Sequence, residues 1–293
     1  MELKGLPLVS VLMTSYNREK YIADAIESVI ASTYQNFELI IVDDGSKDNT
    51  VAIAKEYATR DARIRVYQNE KNLGDYPNRN KAASYATGKY LKYLDSDDII
   101  YPHGLAVMVD AMEKFPEAGM GLPYKRDLEP IPYPILLDQE GAYKAYFFAG
   151  DFMTTGPTSA IIKRSLFEEA GGFSGKRFIG DIEMWLILAA RQPVVKFQPS
   201  LFWWRQHESQ EYKAGQGPDG YFTVNFLTLI ELLNSDRCPL TEADRQRAKA
   251  KLSKWQSRFI LHLLVKKREF KNAVKVMKNC SLTPGLVIRK AFS

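Results

Sequence analysis

Three groups of acids stand out in the 293-residue sequence by type and position. Asp95-Ser96-Asp97-Asp98 follows the apolar run at 90–94, Asp43-Asp44-Gly45-Ser46 follows the apolar run at 37–42, and Asp181 stands just before a stretch with Trp185 and Leu188 at helical spacing. Carboxylates at i and i+2 of an extended backbone project the same way. The pair Asp95/Asp97 can therefore hold one hard divalent cation, Mg2+ or Mn2+, which prefers oxygen ligands and commonly takes one or two carboxylates together with phosphate oxygens. Such a site suits a nucleotide diphosphate, because the ion neutralises charge on the departing phosphate. Asp-X-Asp alone is also an ordinary turn and cap pattern, so its meaning depends on the elements that carry it.

Those elements alternate. A short apolar run at 9–13 predicts a buried strand, with Asn17 as the N-cap of a helix in which Tyr21, Ile22, Ala25, Ile26, Val29 and Ile30 recur at helical spacing. The run at 37–42 is a second buried strand, Val51 to Ala58 mark a helix, and Ile64 and Val66 a third strand. A loop over 69–78 leads to a short helix at 82–86, stopped by Gly88, before the strand at 90–94. Pro102 opens the next helix, Gly156 leads a turn into a strand near Ile162, and 197–205 reads as aromatic and strand-like. From Thr223 onward the pattern is helical, with Thr241-Glu242-Ala243-Asp244 as an N-cap and acidic first turn. The alternation predicts an α/β fold with a mainly parallel central sheet flanked by helices and a C-terminal helical appendage. In such sheets ligands sit beyond the carboxyl ends of strands, which is where the clusters at 43–44 and 95–98 fall.

The segments VSVLMTSYN, IIVDDGS, NEKNLGDYPNRN and KYLDSDD, in this order and spacing, closely resemble the family 2 glycosyltransferases of the GT-A fold. The resemblance is dense from Val9 to about Pro102 and continues more thinly to about Gln210. It implies a catalytic domain over 1–220, with a nucleotide-binding half at 1–100 and an acceptor half at 101–220, followed by a basic helical region at 221–293. It also implies roles. Thr14, Ser15 and Tyr16 would grip uracil and ribose, with Tyr16 stacking on the base, and Asp44 would accept the uracil ring N–H. Asp43 would support that turn or merely cap it. Arg79 would reach the nucleotide, Asp95 and Ser96 would line the ribose side, and Asp97 with Asp95 would ligate the metal, Asp98 ranking lower. GGFSGKRFIGDIEMWLIL resembles the stretch where an acidic pair opens a helix and its second member is the base; here Asp181 matches the base, while Gly180 replaces the usual Glu. Glu183 is a candidate acceptor contact and Trp185 a core residue. Trp203-Trp204-Arg205-Gln206-His207 resembles the closing loop over the diphosphate, where His207 would contact metal or phosphate; the pattern of processive polymerases is absent from it. The implied activity is inverting transfer of a single sugar from a UDP-sugar to a hydroxyl of a glycan or lipid-linked glycan.

Composition narrows the remaining choices. With 45% hydrophobic and 26% charged residues the chain is globular rather than disordered or rod-like, and two isolated cysteines, Cys238 and Cys280, favour a reducing, cytoplasmic setting over a disulfide or zinc framework. From 236 to the end fifteen Lys and Arg stand against four acids, a tail of +11 on a body of −6. Trp255, Phe259 and Leu263 form an apolar stripe there, which suits either a helix lying on the anionic cytoplasmic face of a membrane or a helical hairpin packed on the catalytic domain, stripe inward. No nucleic-acid recognition motif accompanies the basic residues. A nucleotidyltransferase would need glycines between Met13 and Arg18 that are missing, and a non-catalytic relative would predict a broken base or metal site, whereas Asp97 and Asp181 are both present.

Overall fold

The computed structural model describes residues 5–124, 132–150, 152–207 and 220–292. The thin end of the resemblance near Gln210 lies outside the described residues, and the expected division at 220 falls at the edge of 208–219, also outside them. The chain forms two compact units, Met1–Arg205 and Gln206–Ser293.

In the first unit the leading half alternates β1 (Val9–Ser15), α1 (Ile22–Ile30), β2 (Phe37–Asp43), α2 (Thr50–Arg60), β3 (Ile64–Gln68), α3 (Asp75–Ser84) and β4 (Tyr90–Tyr93). The second half comprises β5 (Ile99–Ile100), α4 (Gly104–Lys114), β6 (Met120–Pro123), β7 (Ile135–Leu137), α5 (Gln139–Lys144), β8 (Ile161–Lys163), α6 (Arg164–Ala170), α7 (Gly180–Ala189), β9 (Val194–Phe197) and β10 (Phe202–Trp203). Eight strands form one sheet in the order β3-β2-β1-β4-β8-β6-β9-β7, parallel across β3-β2-β1-β4 and mixed beyond. The apolar runs of β1 and β2 are buried on both faces, as parallel strands under helices require. Their packing partners include Ile22, Ala25, Ile26 and Val29 of α1 and Leu105, Met108, Val109 and Met112 of α4. Register aligns the working ends: Ser15 faces Asp43 across β1 and β2, and Leu12 faces Tyr93 across β1 and β4.

Several local expectations are corrected. Asn17 is not an N-cap: it takes a left-handed φ of 52°, and α1 starts at Ile22. Its amide donates to Ser46 Oγ and its Oδ1 accepts from Lys47 N–H, so it ties the β1 end to the turn after β2. Helix α3 begins seven residues earlier than expected, directly after Gly74, because Pro77 falls in its first turn, where a missing N–H costs nothing. Gly88 is not the stop of α3, which ends at Ser84. It permits close approach to β1, since a Cβ there would lie 2.6 Å from Leu8 O and 2.7 Å from Ser10 N. The aromatic stretch at 197–205 splits into β9 and β10, the latter pairing with β5 in a separate two-stranded ribbon.

The second unit is helical: α8 (Tyr221–Asn234), α9 (Glu242–Leu261), α10 (Phe270–Asn279) and α11 (Pro284–Phe292). Thr241 caps α9 as expected, its Oγ1 accepting from Asp244 N–H at 3.2 Å. Of the expected stripe, Leu263 is buried in the unit's own core with Ile260, Val276 and Val287 and Phe259 packs against that core, whereas Trp255 stays exposed; Phe222 stacks on Phe259 at 4.1 Å and on Trp255 at 5.1 Å. Both cysteines are buried and free. Among the described residues no helix is long and apolar enough to cross a membrane. Gly88→Ala should cost about 1–3 kcal/mol through overpacking against β1, read as a lowered denaturant midpoint; an unchanged midpoint would contradict the backbone contact.

Candidate active site

At the β1 and β2 ends, turn chemistry and ligand-facing chemistry separate. Asp43 is a turn organiser: Oδ1 accepts from Gly45 N–H at 3.1 Å and Ser46 N–H at 2.8 Å, and Oδ2 accepts from Ser15 Oγ at 3.1 Å. Gly45 follows at φ 82°, a conformation that favours glycine. Asp44 is buried and holds the loop leading to α3, with Oδ1 accepting from Asn69 Nδ2 and Leu73 N–H, both at 2.8 Å, and Oδ2 from Gly74 N–H at 2.9 Å. Ser15 is buried, Thr14 half-buried, and Tyr16 presents its ring to solvent at 45% exposure.

The acidic cluster sits beyond β4. One carboxylate oxygen each from Asp95, Asp97 and Asp98 lie within 4.8 Å of one another, an all-oxygen set that fits a hard divalent cation. Asp98, ranked lower from sequence, is thus a full member of the group. It is also its most buried carboxyl, accepting from Thr158 Oγ1 at 2.7 Å and from Arg205 N–H at 3.1 Å. Burial, with the neighbouring Asp95 charge, pushes it up to about 7. Asp97 accepts from Arg18 Nε at 2.9 Å through Oδ2, and its carbonyl accepts from Arg205 Nε at 2.9 Å. Asp95 ion-pairs with Arg79 at 2.7 Å. Ser96 is buried in the turn between them. Cations therefore already offset part of the mutual repulsion of three acids.

Arg79 is held within the site rather than extending into solvent. Its side chain is 7% exposed and bridges Asp95 and Asp75, the latter at 2.8 Å along α3. On the same helix Asn80 clamps the loop before α7, donating to Phe173 O at 2.8 Å and accepting from Phe173 N–H at 2.9 Å. Asp181 lies in the first turn of α7, half-buried, with Oδ1 accepting from Ile182 N–H at 2.8 Å. Burial pushes its carboxyl up to about 6, against the pull of that N–H and of Arg79. Trp185 is core, fully buried with Nε1–H donating to Thr155 O. Glu183 is buried and committed to Ser174 and to Lys176 at 2.8 Å, so the expected acceptor contact is corrected: the helix turns it inward. His207 falls in the second unit.

Sequence reading gave no site role of their own to five residues. Arg18 and Arg205 grip Asp97 from opposite ends of the unit's sequence, and Thr158 links Asp95 N–H to Asp98. Lys92 is buried in β4, donates to Tyr93 O and Thr158 O, and is driven down to about 7 by desolvation despite Asp95 and Asp98 nearby. A lysine inside an otherwise apolar strand was its available signal. Tyr76, beside Asp181, had none beyond its place in the GDYPNRN segment.

Acids at the ends of β2 and β4 beneath a parallel half-sheet, joined to a mixed half that carries a helix-borne carboxylate, define the GT-A class of glycosyltransferase fold. The pattern of glycosyl transferase family 2 matches residues 10–171, and the chain belongs to that family. GlyG of Streptococcus pneumoniae is 29% identical over 217 residues, 68% of this chain and 71% of that protein. WfgD of Escherichia coli, a UDP-Glc:alpha-D-GlcNAc-diphosphoundecaprenol beta-1,3-glucosyltransferase, is 42% identical over 107 residues, 36% of this chain and 42% of its own length. Over such relatives the match spans about two fifths of their length. S. aureus TarS 1–349 superposes with TM-score 0.70 at 21% identity, covering 93% of this chain and 79% of that one, and TarS 1–349 is also solved with UDP-GlcNAc and with UDP. The mannosyltransferase PcManGT of Pyrobaculum calidifontis, solved with GDP-Man and Mn2+, superposes with TM-score 0.63 at 16% identity over 99% of this chain and 87% of that one.

The cluster makes a binding prediction. Calorimetric titration with Mn2+ in the presence of UDP should give saturable binding that Asp97→Ala weakens by at least about tenfold, a loss of about 1.4 kcal/mol or more. An unchanged isotherm would remove Asp97 from the ligand set.

Proposed function

We propose that the protein is an inverting glycosyltransferase that moves one sugar from a UDP-sugar to a hydroxyl of a glycan or lipid-linked glycan. Tyr16 stacks on the uracil, with Thr14 and Ser15 shaping the strand end, and the acceptor capacity left on Asp44 Oδ2 takes the uracil N–H. Ser96 and Asp95 line the ribose and diphosphate side. Asp97 and Asp95 would hold Mg2+ or Mn2+, which would neutralise the departing diphosphate.

The displacement needs a base on the face opposite the leaving group. The acceptor oxygen bonds to the anomeric carbon, the bond from that carbon to the diphosphate oxygen breaks, its electron pair leaves on UDP, and the acceptor proton passes to Asp181. A carboxylate raised to about 6 is ionised at neutral pH yet basic enough to share that proton. The observation that carries this reading is Arg79: one buried guanidinium pairs with Asp95 and acts electrostatically on Asp181, so the acids assigned to the two ends of the displacement share one neighbourhood. The UDP complexes of TarS and the diphosphoundecaprenol acceptor of WfgD support the donor and acceptor classes.

A lipid-linked acceptor would be met at the cytoplasmic membrane face through the basic second unit. Exposed Phe270 and Val274, one turn apart on α10, stand near Lys266, Lys267 and Lys271 in the sequence and suit an anionic surface. Co-sedimentation with vesicles containing anionic lipid should be salt-sensitive and absent with neutral lipid; equal recovery with both would end the membrane role.

Asp181→Asn should lower kcat by about 10²–10⁴-fold while UDP affinity stays within about twofold. In the unsubstituted enzyme kcat/KM should fall below about pH 6 as the base protonates. The raised carboxyl also has a stability sign: its contribution is present below the unfolded value and lost as pH rises through the folded one. Asp181→Asn should therefore melt higher than the parent at pH 8, with the difference gone below about pH 4. Retained turnover in the variant would refute the base assignment.

A further inference from the structure

The position where the family resemblance fails holds the clearest unassigned feature. Gly180 replaces an expected Glu, and the space its side chain would fill is taken. A Cβ at 180 would lie 2.6 Å from Cζ, 2.7 Å from Cε2 and 2.8 Å from Cε1 of Tyr76. The ring cannot swing clear easily: it is buried and packs on Phe173 at a centroid distance of 5.1 Å, and Phe173 is itself fixed by the Asn80 clamp and by an edge contact to Trp185.

The phenol also does polar work. Helix α7 has no side-chain cap at Ile179, so its first amides need acceptors from elsewhere. Asp181 N–H donates to Tyr76 Oη at 3.2 Å, and Glu183 N–H donates to Ile179 O at 2.8 Å. Asp181 Oδ1 is occupied by Ile182 N–H. Its Oδ2 lies 4.0 Å from the ideal Cβ position of Gly156, where no side chain intrudes. Burial and the charges of Asp181 and Asp75 push the Tyr76 phenol far above its ordinary value, so it stays neutral and keeps both its acceptor and its donor.

We infer that Tyr76 is the positioning residue of the base: its ring fills the volume of the missing side chain at 180, and its hydroxyl oxygen, by accepting Asp181 N–H, fixes the first turn of α7 and the aim of the Asp181 carboxylate. The inference rests on Asp181 being the base. Tyr76 and Arg79 are three residues apart on α3, so they share one face of that helix. The same helix thus holds Asp95 through Arg79 and Asp181 through Tyr76. With Tyr76 in place, position 180 has no room for a side chain.

Steady-state kinetics against pH on Tyr76→Phe, Gly180→Ala, Tyr76→Ala and Tyr76→Ala/Gly180→Ala test this, with Asp181→Asn as reference. Tyr76→Phe keeps the ring and removes the oxygen. Its kcat should fall at least about tenfold with donor KM unchanged, and its melting midpoint should drop modestly because the Asp181 N–H loses its acceptor. The acid limb of kcat/KM should move to lower pH, because the freed amide turns its dipole on the carboxylate. Gly180→Ala should lower kcat beside Tyr76 and cost nothing further in the Tyr76→Ala background. Tyr76→Phe with parental kcat and acid limb, while Asp181→Asn is inactive, would overturn the positioning role alone. An active Asp181→Asn would instead overturn the base, and this inference with it.

Discussion

The buried ion pairing of Arg79 is the constraint on which the rest of the site depends. A guanidinium removed from water must keep its partners, since a buried charge left alone costs several kcal/mol. Here the partners are Asp75 on its own helix and Asp95 at the β4 end. The pairing therefore ties α3 to the acidic cluster, and breaking it would strand charge on both sides. Asn80 ties the same helix to the loop before α7, and Asp44 ties the start of that helix to the end of β2 through Leu73 and Gly74. Helix α3 contributes little apolar burial for its length; its buried residues include Asn78 and Arg79 beside Tyr76, Ala82 and Ala83. It acts as a polar strut between the strand ends and the helix that carries Asp181.

The cluster itself is balanced by contributions from widely separated residues. Arg18 follows β1, Arg205 follows β10, Thr158 lies before β8, and all three converge on Asp95, Asp97 and Asp98. The fold brings them together because the β5–β10 ribbon carries residue 205 back over the β4 end, while β8 runs antiparallel beside β4. Beneath them Lys92 lies buried within electrostatic reach of Asp95 and Asp98. Three acids held this way keep their geometry through these hydrogen bonds and ion pairs.

Much of the leading half of the fold was legible because β1 and β2 are largely apolar runs and α1 shows 3.6-residue spacing, whereas α3 begins seven residues before the helix expected there. The acids after β2 and β4 were visible because they end those runs abruptly. Residues that act by tertiary contact were not. Nothing local distinguishes Tyr76 from a core aromatic, and Asn17 looks like a cap until its positive φ and its bonds to the turn at 46–47 are known. The loop expected over 69–78 rested on its Asn, Gly and Pro content, yet Pro77 falls in the first turn of α3, where a missing N–H costs nothing. Glu183 lies two residues from Asp181 and looked equally available, yet the helix turns it inward towards Ser174 and Lys176. Asp98, third in a run of acids, carried no sign that Thr158 and Arg205 would bury it.

The central claim is a single displacement, with the departing diphosphate held on the Asp95/Asp97 side and the incoming hydroxyl activated by Asp181 from the other. Proton NMR of the product formed from an anomerically defined UDP-sugar reads this directly. The new linkage should carry the anomeric configuration opposite to that of the donor. A product that retains the donor's configuration would contradict the account, because it demands two displacements or a mechanism in which Asp181 is not the base.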